Sequence, residues 1–95
     1  MSARHIPSAR FQLGRIVATP NALAQITQQD IMAALLRHVV GDWGDVCDED
    51  RQANVVALVQ GTRILSVYQS AVGLKFWIIT EADRSSTAIL LPEDY

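Results

Sequence analysis

The stretch from Lys75 to Pro92 constrains the fold more than any other part of the chain. Two runs rich in β-branched and aromatic residues, Lys75 to Thr80 and Thr87 to Leu91, flank the polar break Glu81 to Ser86, the pattern of a β-hairpin. Along the first run Phe76, Ile78 and Thr80 point to one face, and Trp77, Ile79 and Glu81 to the other. In the second, Thr87, Ile89 and Leu91 oppose Ala88 and Leu90, and Pro92 ends the ladder by withholding a donor. Both faces of this hairpin are therefore largely apolar. Helices are expected on one of them, and a further element or a second molecule on the other.

The remaining elements follow from local signals. Phe11 to Val17 reads as a short strand, with Gly14 weakening it or marking a bulge, placed at an edge of the C-terminal sheet. Thr19-Pro20 starts a short helical turn through Ala22 to Ile26, and Thr27 caps a helix that runs to about Val40 and stops at Gly41. Ile31, Leu35 and Val39, with Met32 and Leu36 between them, form its wide core-facing stripe. Asp48-Glu49-Asp50 opens another helix, with Asp48 as the expected cap, and Gly61 closes it. A strand from Thr62 to Tyr68 then leads through the turn Gln69 to Gly73 into the hairpin. The expected fold class is α+β: an N-terminal strand, two main helices plus the short turn, then a three-stranded antiparallel meander with helices packed on one face. Residues 1 to 10 read as a flexible lead-in, and 11 to 95 as a single domain.

Composition narrows the function. With eight Lys and Arg against ten Asp and Glu, a formal net charge of -2 and the basic residues scattered, the chain lacks the basic stripe that grips a nucleic-acid backbone. A lone cysteine, Cys47, rules out an internal disulfide framework and a multi-cysteine zinc site. Met1 to Arg10 has no apolar core of a secretory signal, and the apolar runs are too short to span a membrane, so a cytoplasmic protein is expected.

Four groups of residues invite a chemical reading. The acidic loop places Asp42, Asp45, Asp48, Glu49 and Asp50 close together, but its spacing does not match a calcium loop; helix capping and solvation are the simpler account, and no metal or cofactor is expected. His38 lies four residues before Asp42, the spacing of an acid-oriented imidazole or, more simply, of a histidine at a helix C-terminus. Trp43, between Gly41 and Gly44, is either an aromatic anchor for a partner or a plug folded back on the core. At the hairpin tip, Glu81, Asp83 and Arg84 either fix the turn or form a polar binding edge with Arg84 as a fork for a carboxylate or phosphate; Ser66 and Tyr68 on the preceding strand either extend that edge or face solvent. No nucleophile elbow or phosphate loop is present.

Arg37-His38 leading into Gly41-Asp42-Trp43-Gly44-Asp45, then Asp50-Arg51-Gln52-Ala53-Asn54, Arg63 to Tyr68, Trp77 to Ser85 and Leu90 to Tyr95 together resemble a small bacterial family encoded on plasmids and integrative elements. Its members are labelled plasmid-related protein or type I restriction endonuclease subunit M. The resemblance implies a mobile-element origin and supplies no activity, because 95 residues without a cofactor-binding glycine loop hold no methyltransferase domain. The expectation is a non-enzymatic protein-binding or regulatory accessory protein that contacts another protein, or pairs as a homodimer, through the doubly apolar sheet or the Trp43 loop. The alternatives are an inhibitor of a host defence system, of the anti-restriction or anti-CRISPR type, and a small enzyme using His38 and Asp42.

Overall fold

The computed structural model describes residues 9–95. Its elements run β1 (Arg15–Ala18), α1 (Pro20–Gln25), α2 (Gln28–Val39), α3 (Asp48–Gln60), β2 (Ile64–Gln69), β3 (Lys75–Thr80), β4 (Ser86–Leu90) and a closing 3-10 turn, Pro92–Asp94. The fold is α+β, as the sequence pattern predicts. The expected lead-in lies outside the described residues except at its end, where the Arg10 amide donates to the Val39 carbonyl at 2.9 Å.

β2, β3 and β4 form the expected antiparallel meander. β1 joins them at an edge of the sheet, as expected, but it pairs with β4 in parallel, so the four-stranded sheet is mixed, with the order β1-β4-β3-β2. The strand also starts later than its apolar residues suggest. Phe11 packs its ring edge-on to His38 at 5.2 Å and stacks on Trp43 at 6.3 Å, so the segment before Gly14 serves the core rather than the sheet. Gly14 has a positive φ of 65° and lies against the β3–β4 turn, where an added Cβ would come within 2.4 Å of the Arg84 carbonyl oxygen. Only glycine lets the chain pass there.

The helix starts follow the capping chemistry. Thr19 accepts from the Ala22 amide and Thr27 from that of Asp30, each satisfying a first-turn donor that the helix cannot. Thr19 in turn donates to Asp94 at 2.6 Å, and the same carboxylate accepts from the Leu91 amide at 3.0 Å, so one acid ties α1 to the end of the chain. α3 differs from expectation: Cys47, not Asp48, is its N-cap, and no side chain caps it. Asp48, Glu49 and Asp50 instead occupy the first turn, where their charges complement the helix dipole.

α1 and α2 cover one face of the sheet. Ala22, Ile26, Ile31, Ala34 and Leu35 pack on Tyr68, Phe76, Ile78, Ile89 and Leu91 in the main core. Met32 and Leu36, expected within the buried stripe of α2, are exposed, because α2 sits with Ile31, Leu35 and Val39 toward the sheet and nothing among the described residues covers its flank. On the opposite sheet face Ile79 and Leu90 are buried while Leu65, Val67, Trp77 and Ala88 are half-buried, with the Tyr95 ring set edge-on against Trp77 at 5.5 Å.

α3 lies along the outer edge of β2, turned so that Asn54 and Ala57 are buried and Val55, Val56 and Val59 are exposed. The Asn54 side chain donates to the Leu65 carbonyl at 2.7 Å and accepts from the Leu65 amide at 3.1 Å, imitating the next strand. Two residues on, the loop after α2 continues this imitation. The Val67 amide donates to the Trp43 carbonyl at 3.0 Å, and the Asp45 amide donates to the Val67 carbonyl at 2.8 Å. Gly44 runs so close to β2 that an added Cβ would fall 2.0 Å from the Val67 oxygen.

Replacing Asn54 with Ala strands a part-buried donor and acceptor of Leu65, so Asn54→Ala should lower unfolding stability by about 1–2 kcal/mol in a denaturant titration. Asn54→Asp, which keeps the acceptor but not the donor, is also destabilising.

Candidate functional site

His38 is fully buried, at 0% exposure, on the sheet-facing side of α2. Its Nε2 lies 2.9 Å from Thr80 Oγ1, its Nδ1 contacts Ser66 Oγ, Thr80 Oγ1 lies 2.7 Å from Thr87 Oγ1, and Thr87 donates to the Leu13 carbonyl at 2.7 Å. The carbonyl fixes every proton in this string, since it only accepts. Thr87 gives its proton to Leu13, so it accepts from Thr80; Thr80 therefore accepts from His38 Nε2–H; Nδ1 is left as the acceptor for Ser66. One tautomer of neutral imidazole satisfies all of these contacts, and burial pushes the His38 pKa down to about 4.

The anticipated meeting of His38 with Asp42 does not occur. Asp42 instead forms a two-bond pair with Arg37, at 2.8 and 3.2 Å, and accepts from the Gly44 amide at 3.3 Å. The Arg37 hydrogen bond holds the Asp42 carboxyl below its ordinary range, and Asp42 raises Arg37 in return. The Arg37 guanidinium also lies 4.7 Å from the centre of the Tyr68 ring. Half-exposed as both partners are, this pair adds little to stability beyond fixing the loop.

Trp43 is buried and plugs a second small core with Val46, Ala57 and Ile64, which is the simpler of its two readings. Ser66 and Tyr68 are buried as well, correcting their expected place on a polar edge or a solvent face; the Tyr68 hydroxyl donates to the Asp42 carbonyl, and burial pushes its pKa up to about 12. Asp45 accepts from Gln69 at 3.3 Å. The acids of the loop thus have separate tasks, and among the described residues no three His, Cys, Asp or Glu side chains converge as a metal site.

At the hairpin tip Arg84 does structural work. It takes a positive φ of 61° and its guanidinium donates to the carbonyls of Thr62 at 2.6 Å, Glu81 at 3.1 Å and Ala57 at 2.9 Å. α3 has no basic residue in its last turn, so Arg84 brings from the hairpin the cation that this helix end favours. Asp83 accepts from the Ser85 amide at 3.0 Å and Glu81 lies 3.9 Å from Arg63. The tip therefore fixes its own turn.

Apart from Val55, Val56 and Val59 on α3, and Val72 and Tyr95, the exposed large apolar residues lie beside β1. Ile16 is 50% exposed, Val17 41%, Leu23 63%, Met32 53% and Leu36 50%. All but Leu36 border a groove of about 460 Å³ between β1 and the flanks of α1 and α2, floored by Ile26, Ile31, Leu35 and Ile89. Leu36 lies one helical turn beyond Met32 and extends the surface. Comparison with family models, curated proteins and solved structures finds no match. No helix among the described residues is long and apolar enough to cross a membrane.

The buried string has a pH signature. His38 ionises near 6.5 when unfolded and near 4 when folded, so between those values the unfolded chain takes up a proton that the folded chain refuses. Stability should be at full strength above pH 6.5 and fall as the pH drops toward 4, by on the order of 3 kcal/mol. Denaturant midpoints across this range should show the slope, and His38→Gln should remove it.

Proposed function

We propose that the chain is a non-enzymatic protein-binding protein, an accessory or regulatory factor of a bacterial mobile element, and that its contact surface is the apolar groove beside β1. The observation that carries this reading is the contiguous exposure of Ile16, Leu23, Met32 and Leu36 around that groove, with Val17 exposed beside them on the other face of the strand. Scattered apolar residues are ordinary on a protein surface, but a rimmed concave patch of them is the usual mark of a binding site. The side chains best suited to chemistry support the same reading, since His38 has both nitrogens occupied inside the core and Arg84 is spent on backbone carbonyls.

Leu23→Asp combined with Met32→Asp puts charge on the groove rim without touching the core. A tagged chain expressed in its native host should retain stoichiometric bound protein, its own untagged copy included, and the double variant should lose it. Identical recovery by the two would overturn the assignment.

A further inference from the structure

Resting on the reading of the β1 groove as a binding surface, we infer that its occupant is a second copy of the chain, joined through antiparallel pairing of the two β1 strands into one continuous eight-stranded sheet. The two edges of the sheet differ. The β2 edge is capped by Asn54 and the Trp43–Asp45 loop, whereas β1 has no partner on its outer side among the described residues. Its four residues carry no lysine, proline or bulge, and its only edge protections are its shortness and the charge of Arg15.

The pairing register follows from which backbone groups are free. The Arg15 amide donates to Ser85 and the Thr19 amide to Ile89, so Arg15 and Val17 turn their polar groups inward to β4, as does the Thr19 amide, while the Thr19 carbonyl accepts from Leu23 in α1. Alternation leaves the amides and carbonyls of Ile16 and Ala18 pointing outward. These four groups are self-complementary about a two-fold axis through Val17. Ile16 of one copy faces Ala18 of the other, both pairs exchange two hydrogen bonds, and Val17 meets its own counterpart. Ile16 and Ala18 share the face that carries α1 and α2, so the helices of both copies lie on the same side, and the rims at Leu23 and Met32 close over a joint apolar channel.

Charge fits the same register. Arg15, which makes no side-chain hydrogen bond or ion pair among the described residues, falls opposite Thr19 of the other copy, and Thr19 is bonded to the exposed Asp94 carboxylate. Each copy thus sets an arginine beside the other's acid, and no like charges face one another. An unrelated extended peptide would gain the same few backbone bonds from this four-residue edge without the matched arginine and acid, or the second groove.

Sedimentation equilibrium of the full chain should give twice the monomer mass. In the inferred pairing Val17 meets Val17 in the close, non-hydrogen-bonded position, so Val17→Lys and Val17→Glu each place like charges face to face. Each variant alone should be monomeric, with the circular dichroism of the wild type and a cooperative melt lowered only by the stability that association adds, and an equimolar mixture of the two should regain the double mass and the wild-type melt. A wild-type chain that stays monomeric at every soluble concentration overturns the inference, whether Met1–Ser8 or another protein fills the groove. So does a dimer that survives Val17→Lys, or a mixture that does not reassociate. Loss of the dimer with a foreign partner still released by the Leu23 and Met32 variant would leave the binding surface standing and remove only the second copy.

Discussion

Every open sheet ends in backbone donors and acceptors that need partners, and this requirement organises the molecule. On the β2 side it is met without another strand. A carboxamide from α3 binds both polar groups of Leu65, and a bend of main chain around Gly44 binds those of Val67. The placement of α3, the burial of Trp43 and the geometry of the acidic loop all follow from this coverage. Aspartates that resemble a ligand set in the sequence are there because the loop carrying them must lie flat against a strand.

The core has its own polar requirement. Ser66, Thr80 and Thr87 occupy inward positions on three neighbouring strands, where apolar residues are the norm, and each buried hydroxyl would be costly without a partner. His38 resolves two of them and the Leu13 carbonyl a third. The string joins α2, β2, β3, β4 and the segment before β1, so it specifies how five parts of the chain meet. An apolar core of the same volume would hold them as tightly but with less registration.

Much of this was legible in local chemistry. Thr19-Pro20, Thr27 and Gly61 announce helix boundaries because capping is decided by a few adjacent residues, and the meander from Ile64 to Leu90 announces itself through alternation and turn residues. What escaped were the contacts between distant positions. No neighbouring residue signals that Arg15–Ala18 pairs in parallel with β4, or that Asn54 reads the edge of β2. The histidine string did leave a trace: His38 continues the buried row of Ile31 and Leu35, and Ser66, Thr80 and Thr87 fall in the inward phase of their strands. Polar residues sharing the phase of a core are a sign of a buried network. The stripe on α2 is wider than the face it buries, since Met32 and Leu36 continue its apolar pattern yet face outward.

The parallel pairing of β1 with β4 carries a consequence for the order of assembly. β2, β3 and β4 meet through short turns and can zip together early, whereas Arg15–Ala18 must wait for Ser86–Ile89, 71 positions further along the chain. Of the three strand pairings, that of β1 with β4 therefore closes by far the longest loop. Until that pairing forms, Ile16 and Val17 have both edges of their strand unpaired, the condition in which a strand is open to another chain.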